Sequence, residues 1–147
     1  ESMVALNKGA SDAMVEVGVN SATDVTGFGL LGHLWQMMKS SEVSAKLSWS
    51  EIPILPDVVE LAVAGNISGG TTRNMEALKE IVQLEDGISD IDFTILADAQ
   101  TSGGLLISVP EERSTVLINN LIANQSLYSS VVGKVIEGNP GAITVQK

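Results

Sequence analysis

A chain of 147 residues, 44% hydrophobic and 18% charged, is long enough for one domain with a sizeable core and too apolar to stay disordered. Its 18 acidic residues against 8 basic ones leave a formal charge of −10, and the basic residues are scattered, so nucleic acid is a poor partner: neutralising phosphates needs clustered Lys and Arg. The absence of cysteine excludes disulfides, thiolate zinc sites and a cysteine nucleophile within the chain.

No apolar run reaches the roughly 18 residues of a membrane span and no secretory leader is visible, so the expected setting is cytoplasmic, without membrane or nucleic-acid partners. Residues 1–17 are helical in pattern, with Met3, Leu6, Ala10, Ala13, Met14 and Val17 on one face. A chain that starts inside a helix, with no Met at position 1, is expected to be a piece of something longer. Residues 18–26 are polar and turn-rich. Phe28, Leu31, Leu34, Trp35 and Met38 then recur at helical spacing and predict a second helix of about 12 residues. In residues 43–49, Val43, Ala45, Leu47 and Trp49 alternate with Ser44, Lys46 and Ser48, the pattern of a half-buried strand.

A short helix follows, with Pro56 near its start and Gly65 just past its end. Residues 66–74 read as a Gly/Thr loop feeding a helix from Met75 to Val82, and residues 84–92 as another loop. "FTILADA" is open between strand and short helix, and "QTSGG" ends it. "LLISV" is a strand. Pro110, Glu111 and Glu112 open a helix with Leu117, Ile118, Leu121 and Ile122 on its apolar side. The tail, with a turn at Asn139, Pro140 and Gly141, reads as a hairpin. Together these elements predict a single α+β domain over residues 1–147, a mixed or antiparallel sheet with helices packed on it.

Three segments rich in glycine and hydroxyls stand out. The first, "SATDVTGFGLLGHL" at residues 21–34, contains GxGxxG. Dinucleotide binding through that motif requires a hydrophobic strand running into the first glycine. Residues 20–26 make a poor buried strand, and Glu51 is wrongly placed for the ribose-binding acid. Two readings remain open. The glycines let helix N–H groups approach a phosphate, with Asp24, Thr23 and Thr26 offering oxygens to a metal; or Thr26 or Asp24 simply caps the helix. "SGGTTRN" at residues 68–74 could hold an anion through backbone N–H groups, two threonines and Arg73, or could be a capped loop. "DAQTSGG" at residues 98–104 is the third cluster, or a plain turn into a strand. His33 reads more readily as a packed or surface residue than as a ligand.

"TDVTGFGLLGHL", "GGTTRN" and "DAQTSGGLLISV" occur in the order and spacing of the selenophosphate synthetases (selenide, water dikinases), and the resemblance extends over essentially the whole chain as the C-terminal domain of that family. Ala99 stands where the family usually has proline, which is expected to loosen that turn a little. The resemblance implies an α+β domain of the aminoimidazole ribonucleotide synthetase superfamily, packed beside an N-terminal domain that forms a homodimer and holds most of the ATP. The implied reaction converts ATP, selenide and water to selenophosphate, AMP and orthophosphate, with Mg2+ on aspartates. It further implies Asp24 as a metal ligand, and Thr23, Thr26, Gly27, Gly29, Gly69, Gly70, Thr71, Thr101, Ser102 and Gly103 as residues facing the nucleotide's phosphates. The family's catalytic cysteine or selenocysteine and its lysine lie in an N-terminal segment. No catalytic residue is therefore expected in this chain, and the chain alone is expected to be inactive. Alternatives are another ATP-using member of the superfamily, of the aminoimidazole ribonucleotide synthetase, thiamine-monophosphate kinase or hydrogenase-maturation type, and a stand-alone non-catalytic binding module.

Overall fold

Two β layers organise the chain, and a computed structural model describes them over residues 6–147. A four-stranded mixed sheet has the order β3-β6-β2-β5, and a separate two-stranded ribbon pairs β1 with β4. The strands are β1 (Ser21–Asp24), β2 (Ser44–Ser48), β3 (Val82–Leu84), β4 (Leu105–Ser108), β5 (Gly133–Ile136) and β6 (Ile143–Gln146). The helices are α1 (Lys8–Val17), α2 (Gly29–Ser40), α3 (Val58–Val63), α4 (Gly69–Leu78), α5 (Asp90–Leu96) and α6 (Ser114–Ala123). The α+β expectation holds.

β2 is the organising strand. It pairs parallel with β6 (Ala45 opposite Ile143) and antiparallel with β5 (Ala45 opposite Val135). The tail therefore does not form a hairpin: β5 and β6 run in opposite directions, but β2 lies between them. The alternation holds from Ala45 to Leu47, with Ala45 and Leu47 buried and Lys46 exposed, but Ser44, read as outward, is buried with its hydroxyl donating to Asn139 O at 2.8 Å.

The main core joins Leu31, Leu34 and Met38 of α2 to Leu47, Ile143 and Val145 of the sheet and to Leu78, Phe93 and Leu96 of α4 and α5. A smaller cluster packs Ala13 of α1 against Leu117 and Leu121 of α6. β4 serves both. Successive side chains of a strand point to opposite faces, so Leu106 enters the main core while Ile107 packs against the small cluster. Ala10, Met14 and Val17 join that cluster as expected, whereas Leu6 precedes the helix and is 86% exposed. Met3 lies outside the described residues.

Three further boundaries differ from expectation. Residues 21–24 form a strand, because β4 supplies hydrogen-bonding partners that the local sequence does not reveal. The helix expected from Met75 starts at Gly69, where the Ser68 hydroxyl accepts from the Thr71 amide, and it ends at Leu78, with Val82 in β3. The ambiguous segment around Phe93 is helical. Its start is set by a capping box in which Ser89 and Asp92 satisfy each other's backbone N–H groups.

Candidate functional site

The three glycine-rich segments meet at one end of the ribbon. The first and third run side by side beyond the β1–β4 pairing. Val25 N–H donates to Gly104 O (2.9 Å), Gly103 N–H to Val25 O (3.0 Å) and Gln100 N–H to Thr26 O (3.1 Å). Asn7, just before α1, adds a bond from its side-chain amide to Gly103 O at 3.0 Å.

The second segment is tied to both of the others by side chains. Asn74 Nδ2 donates to Gly27 O (2.9 Å) and to Ala97 O (3.0 Å). The Thr71 hydroxyl is buried, donates to Asp98 Oδ1 at 2.6 Å and accepts from Ala99 N–H at 3.2 Å. Gln100 Nε2 reaches the other Asp98 oxygen at 3.2 Å. Asn74 and Asp98 were not among the residues singled out from the sequence. Both sit inside the quoted motifs, but only the fold shows that their side chains fasten one motif to another.

Glycine is required here for close approach. Gly29 has φ +68°, and a Cβ there would stand 2.7 Å from the Ala97 carbonyl and 2.8 Å from Asp98 O. A Cβ on Gly103 would collide with Val25 O, and one on Gly70 would stand 2.9 Å from Ala99 Cβ. Gly27, by contrast, faces open space. Gly29 and Gly103 let the first and third segments pack backbone to backbone, and Gly70 makes room for the Ala99 side chain.

The helix-cap reading of the first segment fails. α2 begins at Gly29 with Phe28 at its N-cap position and no side-chain cap; neither Asp24 nor Thr26 caps it. The dinucleotide fingerprint fails as well, for a different reason from the one the sequence suggested. A strand does precede the glycines, but it is antiparallel to β4 and lies in a different sheet from β2, so β1–α2–β2 is not a parallel βαβ unit.

Asp24 ends β1 with its side chain exposed, on the wall of an open groove of about 520 Å³ shared with Thr23, Asn7 and Ser11. Among the described residues, no three His, Cys, Asp or Glu side chains cluster as a metal cage. One exposed carboxylate fits a hydrated Mg2+ that takes its remaining ligands from phosphates, water or another carboxylate, since Mg2+ is commonly held by one or two protein carboxylates. Thr101 and Ser102 are exposed on the loop into β4, and Gly69 and Gly70 open the first turn of α4. Arg73 folds back over that turn, its Nη1 3.5 Å from where a Gly69 Cβ would stand. Cation and helix N-terminus thus coincide at this corner.

Residues 3–146 match the family described as AIR synthase related protein, C-terminal domain. The chain is 42% identical over 143 residues to selenide, water dikinase 2 of Peptoclostridium acidaminophilum, covering 97% of this chain and 41% of that protein. It is 46% identical over 140 residues to selenide, water dikinase of Caldanaerobacter subterraneus subsp. tengcongensis, covering 93% and 40%. The chain thus spans about two fifths of the length of these relatives. Among solved structures, the HypE-HypF complex aligns with TM-score 0.71 at 15% identity, over 98% of this chain and 39% of that one. T. maritima PurL complexed with FGAR aligns with TM-score 0.54 at 16% identity, over 89% and 17%. Those two likenesses concern the fold alone. With the family match extending over nearly every residue, the chain belongs to the AIR synthase related family, as its C-terminal domain.

Proposed function

We propose that this domain is the C-terminal part of a selenide, water dikinase, which makes selenophosphate, AMP and orthophosphate from ATP, selenide and water. One observation supports the reading. The three motifs that resemble that family are fastened to one another through the Asn74 bond to Gly27 and the Thr71 bond to Asp98. The sequence relatives support it over the hydrogenase-maturation alternative, since HypE aligns at 15–17% identity and the dikinases above at 42–46%.

In this reading Thr23, Thr26, Gly27, Gly69, Gly70, Thr101, Ser102 and Gly103 face the phosphates of ATP bound mainly by an N-terminal domain, while the buried Gly29 and Thr71 support them from beneath. Asp24 holds one side of a Mg2+, whose chemistry is to offset the charge that builds on phosphoryl oxygens as the anhydrides break. The pairing of Val25 with Gly103 and Gly104 fixes the backbone beside Asp24, and Arg73 with the first turn of α4 favours anions nearby. The chain has no cysteine, so the selenium-handling residue comes from the N-terminal domain and this domain alone is inactive. Homodimerisation is likewise assigned to that domain, and dependence on ATP and reduced selenide to a cytoplasmic setting.

Phosphorus NMR of the full-length protein with Mg2+, ATP and selenide under anaerobic conditions tests this. Selenophosphate with AMP and orthophosphate is the expected result. ADP formed without dependence on selenide overturns it and assigns the protein to another ATP-using branch.

A further inference from the structure

His33 lies in the first half of α2, only 7% exposed, with its Nε2 3.1 Å from Thr26 N and 3.2 Å from Thr26 Oγ1. A backbone amide can only donate. Nε2 must therefore be the lone-pair nitrogen, and a neutral imidazole then carries its proton on Nδ1. The opposite tautomer would set an N–H against an N–H. At 3.2 Å the hydroxyl shares that single lone pair with the amide in a three-centre bond, which turns the Thr26 Oγ1 proton toward the ring as well.

Every polar group of Thr26 is then engaged. Its carbonyl accepts from Gly29 N–H at 2.9 Å and from Gln100 N–H at 3.1 Å, while its amide and hydroxyl donate to His33. Phe28 packs edge-on against the imidazole, ring centroids 5.6 Å apart. Thr26 is the point at which the first motif, the third motif and α2 are joined. His33 supplies the one acceptor at that point that comes from a helix side chain.

We propose that His33 is the positioning residue of this turn. As the Nδ1-protonated neutral ring, it fixes the Thr26 backbone and commits the single hydroxyl proton of Thr26 inward. Thr26 Oγ1 consequently presents only lone pairs outward. In the dikinase reading, on which this last consequence rests, the hydroxyl serves a cation or its water shell and is not a donor to phosphate oxygen.

The test uses this chain, 15N-labelled and without nucleotide. Long-range proton–nitrogen correlations of the imidazole are expected to place the proton on Nδ1 and none on Nε2; a proton on Nε2 overturns the proposal. In the same sample the Thr26 hydroxyl proton is expected to exchange slowly enough to be seen beside the His33 ring, and a hydroxyl directed elsewhere counts against it. His33→Phe keeps a ring without the acceptor and is expected to speed amide exchange at Thr26 about tenfold, the loss of one hydrogen bond. His33→Gln, which carries an oxygen at similar reach, is expected to restore protection. Unchanged exchange in the Phe variant overturns the proposal, and should that variant not fold, the tautomer in the unaltered chain decides. None of these readouts involves ATP or selenide, so failure of the dikinase assay and failure of the His33 assignment are separate results.

Discussion

The Thr71 hydroxyl donates to Asp98 Oδ1 across 2.6 Å, joining the first turn of α4 to the loop that leaves α5. Thr71 is 1% exposed and the same oxygen accepts from Ala99 N–H, so its removal would strand a carboxylate oxygen and an amide together. Thr71→Val, which keeps the shape and discards the hydroxyl, is expected to cost about 2–4 kcal/mol, while Thr71→Ser is expected to cost less than about 1.5 kcal/mol. Urea unfolding midpoints of the two variants check the difference.

Gly29 combines a left-handed backbone with contact against Ala97 and Asp98. Gly29→Ala is expected to destabilise by about 2–4 kcal/mol, from conformational strain and from displacing backbone that cannot yield as a side chain could. Gly27→Ala, where nothing stands within reach of a Cβ, is expected to cost less than about 1 kcal/mol. Thermal unfolding of the pair separates the two glycines, which the sequence presents as equivalent.

The resemblance read from the sequence implies that alanine in place of proline loosens the turn a little, and in the structure the Ala99 N–H donates to Thr71 Oγ1 at 3.2 Å. Ala99→Pro would delete that bond and put ring carbons where the Thr71 hydroxyl stands. The expected net effect is a loss of about 1–2 kcal/mol, since the entropic benefit of proline is smaller than the bond and the clash. Calorimetric melting measures it, and a gain in stability would mean that the turn rearranges around the ring.

Asp24 accepts no side-chain or backbone bond that its removal would break among the described contacts, and it is exposed. Asp24→Asn is therefore expected to leave stability within about 0.5 kcal/mol. If the proposed dikinase reading holds, it is expected in the full-length protein to lower turnover on the order of a hundredfold or more, through loss of the charge proposed to hold the metal. Selenide-dependent AMP formation as a function of Mg2+ concentration is the measurement. Near-normal turnover would remove Asp24 from the metal site.

The helices with a continuous apolar period, α2 and α6, and the alternating strand β2 were legible because their partners need only be apolar. β1 was not, since "SATD" becomes a strand only when β4 offers it a ladder. β3 was absorbed into a helix because Ile81 and Val82 continue the apolar spacing of α4. The hairpin was misjudged for a similar reason: nothing local in the tail announces that β2, some 90 residues earlier, lies between its two strands. The Ser89 capping box starts α5 inside the stretch that its polar residues make read as a loop. The motifs of the site were visible as letters. Their convergence depended on Asn74, Thr71 and Asp98, whose partners lie 47 and 27 residues away in the chain.

The placement of β6 has a consequence for how the domain comes into being. Residues 143–146 form an interior strand, the one that links β3 to β2. Until they emerge from the ribosome, β3 has no neighbour to pair with, and the face of α2 that will cover Ile143 and Val145 is open to water. Assembly of the sheet must therefore wait for residues 143–146, and a chain that stopped short of them would have a gap in the middle of the sheet where loss of β3 or β5 would only trim an edge.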